Sequence, residues 1–276
     1  MTNLVYNKNH IVEALINVGL KQGDTAFFST SLGMIGTAEG VNNQEELNSL
    51  FFEAIKNVIG AKGTILVPAY SYTFGDSTKS NPIIFDPLTT PAEVGPFPNF
   101  FMKQNGVVRS LDPMMSVVGL GPDVEILFKD LPATSYGDDS LYARLVNHPN
   151  TKCISIGLGP NWTPFLHHAD WLAQVPFRYD KSFFGGIKKP TGIEYIEWVY
   201  AVRAAIDESR ADAHELGKKA AAEGIWTHAP LGRARIYGCG YKKNFDFTMK
   251  LLEKDKWLTA IGPACDVPNI EEAAKD

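Results

Sequence analysis

The chain has 276 residues, 45% of them hydrophobic and 21% charged, with a formal net charge of −5. That composition excludes a disordered chain, allows a sizeable core in one large domain or two small ones, and gives no reason to expect nucleic acid as a partner. No apolar run is long enough to span a bilayer, Met1 to Tyr6 lack a signal-peptide pattern, and the three widely spaced cysteines (Cys153, Cys239, Cys265) read as reduced thiols of a cytoplasmic protein.

In chain order, His10 to Leu20 has helical spacing through Ile11, Leu15 and Val18, with Gly19 and Gly23 flanking its end. Thr25 to Thr30 is a β-rich run that stops at the loop Ser31-Leu32-Gly33-Met34-Ile35-Gly36. Asn43 to Ile59 predicts a helix with Leu47, Leu50, Phe51, Ile55 and Val58 on one side, and Thr64 to Pro68 is the next strand. Strand, helix and strand fill the length of a βαβ unit, so the two strands are expected to be parallel.

Residues 69–106 are rich in Pro, Ser, Thr and aromatics, and five prolines argue against a continuous helix there. Such a segment is expected to be a long loop covering a site within a single domain of residues 1–276. Met114 to Leu120 and Cys153 to Gly159 are further apolar strand candidates, and an apparent helix start at His167 follows the second. Glu194 to Gly224 is expected to be helical, because Tyr195, Trp198, Val199, Val202 and Ile206 form an apolar stripe at helical spacing. Thr227 to Tyr241 and Phe245 to Leu252 read as closing strands and a final helix. The expected fold is α/β: a mixed, largely parallel central sheet flanked by helices, with a C-terminal strand and helix extension.

Ligands of open α/β sheets sit beyond the carboxyl ends of the strands, which is where the loop after Gly157 delivers His167 and Asp170. Three residues apart on a helix, these two share a face, and a carboxylate beside a histidine can hold it in one tautomer as a base. His168 points elsewhere. A metal-dependent hydrolase built on His167, His168 and Asp170 is the competing class. Adjacent histidines on a helix diverge by about 100°, however, which makes joint ligation awkward; no metal is expected.

Four stretches in order carry a resemblance: Ser29-Thr30-Ser31-Leu32, Pro68-Ala69-Tyr70-Ser71-Tyr72, Arg109-Ser110-Leu111-Asp112-Pro113 and His167-His168-Ala169-Asp170. Their sequence and βα context resemble the antibiotic N-acetyltransferase family over roughly residues 8 to 265. Each motif is weak alone, and their order makes the signal. Asp112 replaces a family His, Asp170 replaces a Glu, and Ser29 stands where a His is common, so no catalytic role is carried onto Ser29.

The Asp-Pro departure is similar to a branch that acylates amino groups on nucleotide-linked deoxysugars. Two further elements of that branch are matched by Tyr136-Gly137-Asp138-Asp139-Ser140 and by Arg178 to Gly185. The resemblance therefore implies an acyl-CoA-dependent N-acyltransferase with acetyl-CoA as co-substrate and a nucleotide-linked amino sugar as acceptor. An aminoglycoside 3-N-acetyltransferase is the alternative. Acyl transfer from a thioester needs a neutral amine, and His167 is the expected base, oriented by Asp170 or Asp112. Without a nucleophile elbow, direct attack in a ternary complex is expected.

The glycine loop Ser31, Leu32, Gly33, Met34 and Ile35, with Ser110, is expected to meet the acyl donor through backbone N–H groups. Tyr70 and Tyr72 are expected to stack on the acceptor, and Arg178 and Lys181 to meet its diphosphate. The sequence sets no oligomeric state; a homodimer is compatible with it.

Overall fold

The computed structural model describes residues 5–267. Its first elements are β1 (Val5–Tyr6), α1 (Lys8–Asn17), β2 (Thr25–Thr30), β3 (Thr37–Ala38), α2 (Gln44–Ile59) and β4 (Thr64–Pro68). Asn7 caps α1 by accepting from Asn9 and His10 backbone N–H groups at 3.1 and 3.3 Å, and Asn43 caps α2 by accepting from Glu46 N–H at 2.9 Å. These caps satisfy N–H groups that a helix start leaves without intrahelical partners. β5 (Ile84–Phe85), α3 (Pro96–Phe101), β6 (Val108–Arg109), β7 (Val117–Leu120), α4 (Val124–Phe128), α5 (Leu141–Asn147), β8 (Thr151–Ile156) and α6 (Leu166–Leu172) follow. The chain closes with β9 (Arg178–Lys189), β10 (Gly192–Arg203), α7 (His214–Ala222), β11 (Thr227–Leu231), β12 (Ala234–Gly240) and α8 (Tyr241–Leu252).

Seven strands form the main sheet in the order β11-β12-β8-β2-β4-β7-β6. The central β8, β2 and β4 are mutually parallel, as the βαβ spacing required, while β7 and β12 run antiparallel on either side. Alternation along the central strands splits the core. Phe28, Ile65, Val67 and Ile154 face α1 and α2, whereas Phe27, Leu66 and Cys153 face Tyr142, Phe165, Tyr241 and Phe245. Among the described residues, no helix is long and apolar enough to cross a membrane.

The expected helix across 194–224 is corrected. β9 and β10 form a twelve-rung antiparallel hairpin, and only His214–Ala222 is an α-helix. The stripe that matched a helical period coexists with a period-two set, Ile196, Trp198, Tyr200 and Val202, in a run dominated by aromatic and β-branched residues. Such residues favour a pleated surface. β5 joins β9 in parallel to make a second, three-stranded sheet.

The 69–106 segment is more structured than a loop. It supplies β5 to that small sheet, and the Phe100 and Phe101 rings of α3 meet Phe52 of α2 edge-on. Pro96 at the first turn of α3 fits a helix start, where its missing N–H has no partner to lose.

Candidate active site

Three loops leave the carboxyl ends of the parallel trio. Ser31–Gly36 follows β2, Ala69–Tyr72 follows β4, and residues 157–165 follow β8 and lead into α6. Crevices at such strand ends are where open α/β sheets hold ligands. α6 carries His167 and Asp170 on one face, as their spacing predicts, and the start of β9 lays Arg178 against both. The Asp170 carboxylate is 0% exposed. Its Oδ1 accepts from Thr259 Oγ1 at 2.6 Å, and its Oδ2 accepts from Arg178 Nε at 2.9 Å. His167 Nδ1 lies 3.2 Å from Asp170 Oδ2 and 2.8 Å from Arg178 Nη2. The His167 side chain keeps 24% exposure, so it reaches the cleft from a buried ionic base. Burial and the neighbouring Arg178 charge hold its pKa below the ordinary histidine value, which leaves it neutral at pH 7.

A tyrosine cluster packs beside His167. The Tyr136 ring meets His167 edge-on at 5.8 Å and lies 5.6 and 5.3 Å from Tyr142 and Tyr200. Tyr142 donates its hydroxyl to Met115 O at 3.0 Å and lies 3.2 Å from the Tyr70 hydroxyl. Tyr72 is 51% exposed, with its backbone N–H bonded to Glu93 at 3.0 Å, so its ring is available to a ligand. Burial raises the Tyr136 and Tyr142 hydroxyl pKa values well above normal, so both stay protonated.

Several residues of the quoted motifs are engaged within the fold. His168 is a core residue, as its divergent position suggested: its Nδ1 bonds Tyr136 O at 2.8 Å and its ring stacks on Trp171 and Phe245. Ser110 is 1% exposed and accepts from Val117 N–H at 3.0 Å, which leaves it no surface for an acyl donor. Arg109 of the same motif is a buried strap, bonding Ser116 Oγ at 2.9 Å and the backbone carbonyls of Ala69 and Thr90. Arg178 is corrected too. At 6% exposure, with one N–H each of Nε, Nη1 and Nη2 committed to Asp170, Ala201 O and His167, it serves the ionic base first and offers a diphosphate no open fork. Lys181 is half-buried opposite Tyr200 in the hairpin register, and no ion pair holds it among the described residues.

In the glycine loop, Leu32 and Ile35 are core side chains, while Ser31, Gly33 and Met34 border the open side. Arg233, from the β11–β12 turn, clamps this loop by donating to Gly33 O and Met34 O at 3.1 and 3.2 Å. Gly157 stands against it at φ +72°, where an added Cβ would collide with Ser31 O. Gly157→Ala is therefore expected to cost more than about 1 kcal/mol and to displace Ser31. A raised KM for acetyl-CoA at near-normal acceptor KM, in steady-state kinetics, would tie the loop to the donor. An unchanged donor KM would separate it from that role.

Asp112 lies buried at the turn after β6, where its Oδ1 accepts from Met114 and Met115 N–H at 2.9 and 2.8 Å. Burial pushes its pKa up to about 6 against those bonds, which favour the anion. A carboxyl whose folded pKa exceeds its unfolded value stabilises the fold at low pH, and that contribution fades as pH rises from about 4 to about 6. Asp112→Asn keeps the acceptor, and is expected to flatten that decline. Asp112→Ala, which strands two backbone donors, is expected to cost about 1–3 kcal/mol per donor. Urea unfolding at pH 4 and pH 7 checks both; equal stability of the Asn and Ala variants would contradict this turn-bracing role.

Parallel-strand loops converging on a histidine backed by a buried carboxylate define an open-sheet α/β protein with its ligand crevice at the strand ends. The family model for aminoglycoside 3-N-acetyltransferases matches residues 28–253, and the chain belongs to that antibiotic N-acetyltransferase family. Aminoglycoside N(3)-acetyltransferase IX of Micromonospora chalcea is 29% identical over 183 residues, a match covering 61% of this chain and 63% of that protein. Aminoglycoside N(3)-acetyltransferase III of Salmonella sp. is 27% identical over 288 residues, covering 94% of this chain and 96% of the relative. Among solved structures, aminoglycoside acetyltransferase AAC(3)-Xa superposes with TM-score 0.77 at 24% identity, covering 91% of this chain and 93% of that one. AAC-IIIb in binary complex with CoASH gives TM-score 0.76 at 22% identity, covering 94% of this chain and all of that one. At these identities the superpositions establish the shared α/β fold.

Sequence reasoning left Tyr200 and Thr259 out of the site. Tyr200 was hidden by the helical reading of its strand, and Thr259 reaches Asp170 across 89 positions with no local pattern to mark it. Tyr136 stood inside a quoted motif, but nothing in the motif signalled its packing on His167.

Proposed function

We propose that this chain transfers an acetyl group from acetyl-CoA to an amino group of a polyamine sugar of the aminoglycoside class. The observation that carries the reading is the buried Asp170–Arg178 pair holding a neutral, partly open His167 at the strand-end cleft. Family membership supports acyl transfer from CoA, and the named relatives support an aminoglycoside acceptor. So does the charge around the site. A cavity of about 650 Å³ beside the Asp170–Arg178 pair, whose lining does not include His167, carries exposed Asp138 and Asp180, carboxylates that favour a cationic amine. The commitment of Arg178 to Asp170 and His167 engages one of the two cations that a nucleotide diphosphate was expected to meet.

In the proposed reaction the bound ammonium first gives up a proton, with neutral His167 as the nearby acceptor, and the resulting amine attacks the thioester carbonyl directly, within a ternary complex. Gly33 and the neighbouring backbone of the β2 loop lie along the donor arm, and Tyr70 and Tyr72 flank the acceptor. Among the described residues, no group of His, Cys, Asp and Glu has metal-ligating geometry.

The second reading, a nucleotide-linked amino sugar, retains one favouring observation: Lys181, half-buried and unpaired among the described residues, stands opposite Tyr200 on the hairpin. Competition between an aminoglycoside panel and UDP- and dTDP-linked amino sugars separates the two. A higher kcat/KM for aminoglycosides is expected. Preference for the nucleotide sugars, lost in Lys181→Ala, would overturn the acceptor assignment and leave the acyl transfer standing.

A further inference from the structure

The two oxygens of the Asp170 carboxylate have different duties. Oδ2 faces His167 Nδ1 at 3.2 Å and Arg178 Nε at 2.9 Å, while Oδ1 accepts from Thr259 Oγ1 at 2.6 Å. Asp170 and Thr259 are both 0% exposed, so bulk water does not compete for that bond. Thr259 lies beyond residues 28–253 that match the family model, on the segment after α8. That segment is pinned on both sides of the residue. Before it, Lys256 Nζ donates to Ala173 O at 2.6 Å and the Trp257 ring packs on Phe177 at 4.9 Å. At and after it, Thr259 O accepts from Asp212 N–H at 3.0 Å and Ile261 N–H donates to Arg210 O at 2.8 Å. The hydroxyl is held in place by contacts that α6 does not supply. An arginine fork meets a carboxylate best through two parallel N–H···O bonds. Arg178 makes one such bond to Asp170, from Nε, and turns Nη2 to His167. A carboxylate free to rotate would take both Nε and Nη2, and Oδ2 would leave the histidine.

We infer that Thr259 is a positioning residue for the proposed acyl transfer: by holding Oδ1 it keeps Oδ2 on His167 and keeps the carboxylate out of a two-pronged grip by Arg178. The inference rests on His167 as acceptor of the ammonium proton. Once that proton arrives, both ring nitrogens carry one and the ring is a cation. Arg178 Nη2, 2.8 Å from Nδ1, opposes that charge, and Asp170 Oδ2 is the anion that offsets it. Two phenols also face the pair: Tyr136, edge-on to the His167 ring, and Tyr200 of β10. Burial raises both hydroxyl pKa values, so neither adds a charge. On the Thr259 segment itself, the Lys256 ammonium is bonded to Ala173 O.

Thr259→Val removes the hydroxyl and keeps the shape. The His167 pKa is followed by imidazole ¹H–¹³C shifts across pH in the unliganded protein, its signal identified by its absence in His167→Gln. In Thr259→Val it is expected to fall below the parent value, because the ring loses its anion and keeps Arg178. The acid limb of kcat/KM is expected to move down with it. kcat is expected to drop about 10-fold, a part of what a positioned base supplies, with the KM for acetyl-CoA little changed. Thr259→Ser keeps the donor and is expected to keep the parent's kcat and His167 pKa. Loss of either in the serine variant would mean that packing and not the hydroxyl matters, and would overturn the inference whether or not the valine variant folds. An unchanged or raised His167 pKa in folded Thr259→Val would overturn it as well. The imidazole titration needs no substrate. A parent protein that acetylates no amine would therefore sink the proposed reaction, while the valine and serine titrations would still decide the role of Thr259.

Discussion

His167→Ala is expected to lower kcat for acetyl transfer by about 10²–10⁴-fold, the range for a single positioned group that handles charge or protons in the transition state. The ring keeps 24% exposure, so its removal leaves the core intact. The glycine loop lies on a different strand end, so binding of CoA to the variant, followed by calorimetry, is expected to match that of the parent protein. Turnover within a factor of three of normal would contradict the assignment. pH adds a second readout. Because burial and Arg178 lower the His167 pKa, the ring charges only below the ordinary histidine range. The acid limb of kcat/KM attributable to this group is therefore expected below pH 6.5. Replacing Arg178 by Met removes the nearby positive charge while leaving Asp170, so the limb is expected to move upward.

Asp170→Asn is expected to be the most destabilising single change in the site. The carboxylate is fully buried and is the ion-pair partner of a guanidinium that is itself 6% exposed. Neutralising one member of such a pair leaves the other charge stranded, typically at a cost of about 3–5 kcal/mol, whereas replacing both with apolar groups costs much less. The double variant Asp170→Asn/Arg178→Met is therefore expected to unfold at a higher urea concentration than Asp170→Asn alone. If the two destabilisations simply add, the buried pair is not the source of the effect. Activity should be low in both variants, because the tether that orients His167 is gone from each.

The order of folding signals explains what could be read in advance. β2, α2, β4 and α6 were legible because each carries its own period: short apolar runs ended by glycine, and helical stripes started by Asn43 or placed by His167 and Asp170. The His167–Asp170 pair is a local fact, three residues on one helix, and so was visible. Arg178 was visible as a residue and not as a partner. Its side chain meets α6 because the turn at 173–177 sets the start of β9 back against that helix, and Ala201 of β10 holds its Nη1 in a hairpin masked by residues satisfying both periods. Thr259 depends on a contact between α6 and the segment after α8, which no local pattern encodes. Asp112 shows the opposite limit. A motif position that aligns with a catalytic-looking residue proved to brace its own turn, because the two N–H groups it accepts from are its neighbours Met114 and Met115.

Acyl transfer from CoA to an amine is tested most directly by incubating the protein with acetyl-CoA, with and without an aminoglycoside, while following free thiol and acetylated amine together. Thiol released one-for-one with a new amide, and only when the amine is present, is the expected result. Thiol released without an amine acceptor, or no thiol from any amino sugar offered, would contradict the proposed reaction.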